Sequence, residues 1–441
     1  MMKEKLALLG GEKSVKKGLA ELSEKIVTQS AREKISEMLK RDEISVSPIV
    51  GEFEKRFSAY IGVKYGLCVV NGTTAIQAGL FAVGVGAGDE VIVPSFTFWA
   101  TVGPVVANGA VPVFADVDER THNLTPESIE KCITPKTKAI LLVHVWGNPC
   151  DMDGIMGVAK KHGLKVVEDC SHAHGATYGG KKVGSIGDVG CFSMQASKVL
   201  AAGEGGILVT DKKEYFDRAT VLGQYDRCAG LGEDSEYSRY WLTGYGYKHR
   251  VNPLAIAIAD ANLDRLDALN EVRNRNAETF EALLSELPFV RFQKKEKEAN
   301  RVYAYHYAQY LPEAFGGLKL STFLKAVAAE GVVCGSCGYG KLHLAPLYVK
   351  DGPLGKEFPF TLENFDHCHL AGNLPVTERL SKTAFMAAPR FERATEADIA
   401  AYAGAYQKIS EHLDELLEFE RREQVADEIK NNGRSINYVK A

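Results

Sequence analysis

Asp169 and Lys198 combine residue type and position in a way that points to chemistry. Asp169 ends the apolar run Lys165-Val-Val-Glu-Asp169, where a carboxylate is partly desolvated and needs a cationic or N–H partner. Lys198 closes Gly190-Cys-Phe-Ser-Met-Gln-Ala-Ser-Lys198, a stretch with no other charge, where a desolvated amine serves as a nucleophile. A strand-end carboxylate with such a lysine is what pyridoxal phosphate (PLP) chemistry requires. The lysine forms a Schiff base, and the carboxylate keeps the pyridine nitrogen protonated so that the ring accepts electrons. Upstream, Val70-Asn-Gly-Thr-Thr-Ala75 sits between a candidate strand and a candidate helix. Small residues at a helix start leave backbone N–H groups free to hold a phosphate, with the helix dipole in favour.

These residues need a scaffold, and the chain from about residue 65 to 210 supplies one. Short β-branched or apolar runs read as strands: 66–70, 90–94, 111–115, 139–144, 165–169, 190–194 and 206–210. Helical patterns between them, such as 75–83, argue for a largely parallel sheet covered on both faces. In such sheets ligands collect at the carboxyl ends of the strands. Residues 13–60 read as charged helices punctuated by Ser47-Pro48, and 254–287 as one long helical pattern. Beyond about 270 the pattern changes to mixed strands and charged helices, ending in 399–420, with a polar tail over 421–441. The expected division is residues 1–265, an N-terminal helical segment with a large PLP-binding α/β domain, and 266–441, a smaller C-terminal α+β domain.

The order of motifs resembles that of the DegT-type (StrS-type) sugar aminotransferases, a branch of the fold-type-I PLP enzymes. The resemblance runs from about Ile49 to the C-terminal helix. It rests on Asn71-Gly-Thr-Thr-Ala75, Pro94-Ser-Phe-Thr-Phe98, Val143-His-Val-Trp-Gly147, Glu168-Asp169 to His172, Phe192-Ser193 to Lys198, Gly203-Glu-Gly-Gly206 and Gly246-Tyr-Lys-His-Arg250. It implies a large domain with a mainly parallel seven-stranded sheet between helices. It makes Lys198 the cofactor-bearing lysine, Asp169 the partner of the pyridine nitrogen and His172 the neighbour of the phenolic oxygen. Thr73, Thr74, Ala75, Ser193 and Gln195 fall in the phosphate-binding motifs, and Phe98 matches the aromatic that stacks on the ring. Where the family commonly has an Asn reaching into the neighbouring subunit's phosphate site, this chain has Lys248, followed by His249 and Arg250. A lysine there serves a phosphate as a point charge or faces an acidic substrate.

The resemblance thus implies a PLP-dependent aminotransferase that takes an amino group from glutamate or glutamine and gives it to a nucleotide-linked keto-sugar or a keto-cyclitol. It also implies a homodimer with shared active sites, Lys248 and Arg250 crossing between subunits. Alternatives are a dehydratase or deoxygenating relative on the same fold, which carries a histidine where Lys198 stands, and a non-catalytic regulatory PLP protein. A nicotinamide oxidoreductase fits poorly, because the first strand lacks the spaced-glycine fingerprint. His144, at a strand end, is a candidate substrate contact beside its plainer reading as a satisfied core histidine, and His174 is open in the same way. Phe96, Trp99 and the alternating Tyr303, Tyr305 and Tyr307 read as packing.

Composition narrows the remaining classes. With 53 basic and 57 acidic residues the net charge is −4, without the basic excess of a nucleic-acid binder. Two uncharged stretches, 66–88 and 91–115, are interrupted by glycines and prolines and read as buried α/β core, not membrane spans. The start of the chain carries mixed charge without an apolar signal region, and nine scattered cysteines suit free thiols in a reducing cytoplasm. Cys334-Gly-Ser-Cys337 has metal or redox spacing, with His343 and His367-Cys368-His369 as its companions. It lacks a second ligand pair, so it reads as two small residues in a Gly-rich connection and no metal is expected.

Overall fold

A computed structural model describes residues 4–348 and 371–424. The strands β1 (Tyr65–Val69), β2 (Glu90–Pro94), β3 (Val111–Ala115), β4 (Thr137–Val143), β5 (Lys165–Asp169), β6 (Val189–Ser193) and β7 (Gly206–Thr210) form one sheet in the order β1-β7-β6-β5-β4-β2-β3. Neighbours from β6 to β3 are parallel, while β7 runs antiparallel to both β6 and β1. Alternate side chains enter opposite layers. Ala139 and Leu141 join the core beneath the helix Gly72–Ala82, while Ile140 and Leu142 join Met152 and Ile155 on the other face. Burial on both faces is why these strands read as continuous apolar runs. The two uncharged stretches are accounted for in this way. The first holds β1 and Gly72–Ala82; the second holds β2, the helix Trp99–Ala107 and β3. Among the described residues no helix is long and apolar enough to cross a membrane.

A second, antiparallel sheet has the order β8-β9-β11-β10, from β8 (Val290–Phe292), β9 (His306–Tyr310), β10 (Gly335–Ser336) and β11 (Ala384–Ala388). It packs with the helices Leu266–Leu283, Leu320–Ala329 and Glu396–Ser410 around Phe323, Phe385 and Tyr406. Leu6, Val15 and Leu22 lie in this core, so the beginning of the chain, grouped above with the large domain, lends its apolar side chains to the small one. The fully buried Glu330 carboxylate explains the attachment: it accepts from the Ala7 and Ser14 N–H groups and from Lys408 Nζ. Residues 13–60 contain the expected helices Gln29–Lys40 and Pro48–Ile61, the second started by Ser47 with Pro48 in its first turn.

The long pattern from 254 to 287 is broken, into Pro253–Leu263 and Leu266–Leu283. At the break Asn262 turns its amide to the carbonyls of Ile26 and Ala201, and Arg265 Nε bonds Asn262 Oδ1. Those bonds fix the break against the start of the chain and the segment after Lys198. The tail beyond 424 and His367-Cys368-His369 lie outside the described residues.

Candidate active site

The turn after β1 is built by one side chain. Asn71 caps the helix Gly72–Ala82, its Oδ1 accepting from both the Thr74 N–H and the Thr74 hydroxyl at 2.9 Å. The Ala75 N–H bonds the Asn71 carbonyl at 3.1 Å, and Ala75 is fully buried. The N–H groups of Thr74 and Ala75 are thus used inside the turn. Those of Gly72 and Thr73 are left without partners among the described residues, and both residues line a cleft. A Cβ on Gly72 would stand 2.6 Å from Ser193 Cβ, and one on Gly206 would stand 2.3 Å from the Asn71 carbonyl oxygen. The glycines therefore let the ends of β1 and β6 and the start of β7 meet at one point. Ser193 and Gln195 line the same cleft, the Gln195 side chain accepting the Ser197 N–H at 2.7 Å and shaping the turn that leads to Lys198.

Asp169 ends β5 facing this cleft. Its Oδ2 accepts from Thr101 Oγ1 at 2.8 Å and its Oδ1 from the Ser171 N–H at 3.0 Å; the Thr97 hydroxyl in turn lies 3.0 Å from that of Thr101. His172 accepts the Trp146 N–H on Nδ1 at 3.3 Å. Burial, with the Lys198 ammonium nearby as a lesser cause, pushes its imidazole well below the usual histidine range. It is therefore neutral near pH 7, with its proton on Nε2, the nitrogen not occupied by Trp146. Lys198 is half-buried at the end of its turn, and Phe98 is 48% exposed beside it.

The cleft holds about 590 Å³. Its far wall comes from the small domain: Tyr305, Tyr307 and Tyr339. Trp146, in the left-handed region at φ 55°, stacks on Tyr307 with ring centroids 4.2 Å apart. Gly147, at φ +91°, admits the Val302 carbonyl where a Cβ would lie 2.0 Å away, which draws the segment before Tyr305 against the large domain. Tyr305 and Tyr307, expected as packing, thus line the cleft. An alternating strand presents one pattern whether its face meets a core or a cavity. Tyr339, Ser171 and Thr101 were not found from the sequence; the signal for Thr101 is Thr97 four positions earlier.

His144 does not reach the cleft. Fully buried, it accepts the Cys150 N–H on Nδ1 at 3.0 Å and points Nε2 at Glu168 Oε2, 3.1 Å away. Glu168 also accepts from the N–H groups of Gly184, Ile186 and Gly187. His144 is a satisfied core histidine, because β4 and β5 set it beside Glu168. The thiol of Cys170 completes a compact trio with them, and burial pushes it well above its usual range, so this is a saturated core and not a free ligand set. His174 lies behind the cleft between Phe57 and Phe192. Lys248 is exposed and Arg250 pairs with Asp226 at 3.2 Å; neither lines this cleft within its own chain. Cys334 and Cys337 pack into different cores, each thiol pushed up to about 11 by burial, while His343 bonds Ser95.

The model of the DegT/DnrJ/EryC1/StrS aminotransferase family matches residues 25–386. The chain belongs to this family. DegT-family proteins are fold-type-I, PLP-dependent aminotransferases. The chain is 36% identical over 376 residues to the L-glutamine:2-deoxy-scyllo-inosose aminotransferase of Streptoalloteichus tenebrarius, covering 82% of this chain and 86% of that one. It is 43% identical over 243 residues to the GDP-perosamine synthase of Caulobacter vibrioides, covering 55% and 64%. The solved aminotransferase from Psychrobacter cryohalolentis superposes with a TM-score of 0.78 at 29% identity, over 88% of this chain and 98% of that one. The cleft of this DegT-family chain suits PLP. Unpaired N–H groups at a helix start face it beside a serine hydroxyl, in a contact that a Cβ on Gly72 would fill, and a carboxylate and a lysine line the same space.

Proposed function

We propose that this chain is an aminotransferase that binds PLP in the cleft of Lys198 and Asp169 and moves an amino group from glutamine or glutamate to a polyhydroxylated cyclic ketone, a nucleotide-linked keto-sugar or a keto-cyclitol. The observation that carries the reading is the convergence of Asp169, Lys198 and the unpaired N–H groups of Gly72 and Thr73 on one cleft, from three separate strand ends. The relatives named for L-glutamine and 2-deoxy-scyllo-inosose and for GDP-perosamine support the donor and acceptor classes.

PLP, when bound, supplies the electron sink that makes a carbon-bound proton acidic. The chain's own residues do the rest. The Gly72 and Thr73 N–H groups, with the Ser193 hydroxyl, would bind the phosphate at the helix start. Asp169, oriented by Thr101 and Ser171, would hold the proton on the ring nitrogen. His172 donates from Nε2, where a neutral imidazole supplies a hydrogen bond without adding charge. Phe98 offers a half-exposed ring to stack on. Lys198 Nζ, once released, takes the proton from the donor's α-carbon as general base and returns it as general acid. The tyrosine wall narrows the access of water. A second copy completes the site in this reading, with Lys248 and Arg250 of each chain serving the other, and the free-thiol chain works in the cytoplasm.

The test is the absorption spectrum of purified protein with PLP, beside Lys198→Ala. A visible band present in the wild type, absent in the variant and bleached by glutamine or glutamate is expected. A wild type that takes up no PLP would overturn the reading. One that binds PLP while no amine bleaches the band would move the regulatory alternative ahead.

A further inference from the structure

Lys198 also borders a second cavity of about 130 Å³, lined by Arg273, Arg390 and Glu392 of the small domain together with Glu24 and Arg265. Arg390, just after β11, donates from Nη2 to the Ser197 carbonyl at 2.7 Å and from Nη1 to the Lys198 carbonyl at 3.3 Å. Its guanidinium lies 3.7 Å from Glu392 Oε1. That oxygen accepts from Arg273 through Nε and Nη2, at 2.9 and 2.7 Å, and the second Glu392 oxygen accepts the Glu24 N–H at 2.6 Å. Arg273 continues from Nη1 to Asn270 Oδ1 at 2.8 Å, and Asn270 donates to the His174 carbonyl at 2.9 Å. Gly175 packs so closely on Asn270 that a Cβ there would stand 2.7 Å from its amide nitrogen. The Arg273 and Glu392 side chains are 3% and 6% exposed. One continuous path, buried at Glu392, Arg273 and Asn270 and half-buried at Arg390, therefore joins the backbone under Lys198 to the backbone two residues beyond His172. Tyr305, also from the small domain, touches both loops: its hydroxyl lies 2.9 Å from Ser197 Oγ and its ring meets that of His172 edge-on at 5.5 Å.

We propose that Arg390, Glu392, Arg273 and Asn270 form a positioning relay that keeps the loop bearing Lys198 in register with the loop bearing Asp169 and His172. This rests on the reading of those residues as one working site. The physical case is that a guanidinium gripping two carbonyls is a strong, planar tether. A buried ion pair whose members are all bonded resists change, since displacing one leaves another charge unpaired in low dielectric. None of the four side chains needs to touch PLP or substrate. Each acts through the backbone of residues that do.

Amide hydrogen exchange of the full chain before PLP is added tests the relay, using Arg390→Met, Asn270→Ala, their combination, and Arg390→Lys. Arg390→Met is expected to speed exchange across residues 195–205 by roughly tenfold or more, from the loss of its two hydrogen bonds to the Ser197 and Lys198 carbonyls. Asn270→Ala, which touches only the other end, is expected to speed exchange at 195–205 as well as at 170–176. The double variant should fall short of the product of the two, as coupled sites do. Arg390→Lys should recover part of the loss and stands in if the methionine variant does not fold. On PLP-loaded protein, kcat per cofactor-bound site, counted by the cofactor's absorbance, should fall by roughly tenfold with KM for the donor nearly unchanged; counting bound sites separates this from a loss of folded enzyme. Exchange changes confined to the mutated end, or a double variant equal to the product of the singles, would overturn the relay. Failure of the wild type to bind PLP would sink the aminotransferase reading instead, leaving the exchange comparison intact.

Discussion

Thr101 illustrates how a small side chain governs a large one. Asp169 is oriented by a hydroxyl 2.8 Å away and a peptide N–H 3.0 Å away, so removing the hydroxyl leaves one carboxylate oxygen without its protein donor. Thr101→Val is expected to lower kcat by roughly tenfold or more, in line with about 1–3 kcal/mol for an unmet buried partner. Thr101→Ser should retain most of the rate. Steady-state kinetics beside urea unfolding decide it, and an unchanged kcat in the valine variant would mean that Ser171 alone orients Asp169. Asp169 stood out in the sequence as a carboxylate at a strand end and Lys198 as an amine in an uncharged stretch, whereas His172 was reached only through the family resemblance. Thr101 did not stand out, since threonines abound and only the meeting of the helix Trp99–Ala107 with β5 gives this one a role. His144 stayed open for the converse reason: a strand-end histidine looks the same whether it faces a cavity or is sealed against Glu168.

The proposed phosphate cradle is a property of three elements meeting, and Gly72 is where they touch. A methyl group there would lie 2.6 Å from Ser193 Cβ and 3.0 Å from Ser193 Cα, so the helix start or the end of β6 must move. Gly72→Ala is therefore expected to raise the Kd for PLP by roughly tenfold or more, while the helix itself gains slightly from an alanine. Titration of PLP against fluorescence or absorbance measures this. A Kd within about twofold of wild type would show that Ser193 yields without disturbing the N–H groups. The motif Asn71-Gly-Thr-Thr-Ala75 was readable, yet not which of its amides stay free. That depends on Asn71 folding back as the cap, a choice made by the turn. The break between Pro253–Leu263 and Leu266–Leu283 escaped for a related reason, because helical periodicity continues across a short break anchored by tertiary bonds.

Across the molecule, buried histidines make stability depend on pH in one direction. Burial is the chief cause that lowers His122 and His174 to about 3 and His306 to about 4, against 6.5 for an ordinary histidine. Below pH 6.5 the unfolded chain takes up protons that the folded chain refuses, so stability is full above that pH and falls as the pH drops toward the folded values. Each such group contributes up to about 1.4 kcal/mol per pH unit in that window. Glu119, which Arg379 holds at about 2, adds a loss of the same sign lower down, between 4.5 and about 2. Urea unfolding at pH 7.5 and 5.5 should show the difference, and His306→Gln should flatten it. Equal stability at the two values would contradict the burial of these rings.

The order of strands and helices, the parallel sheet and the identity of the central acid and amine follow from local pattern, because apolar run length, periodicity and the rarity of buried charge are written along the chain. The attachment of the first residues to the small domain, the tyrosine wall and the Thr101 hydroxyl do not follow from it. Neither does the path from Arg390 to His174. Each joins residues far apart in the chain, and the partner that gives a polar group its role is known only once the fold has brought the two within hydrogen-bond reach.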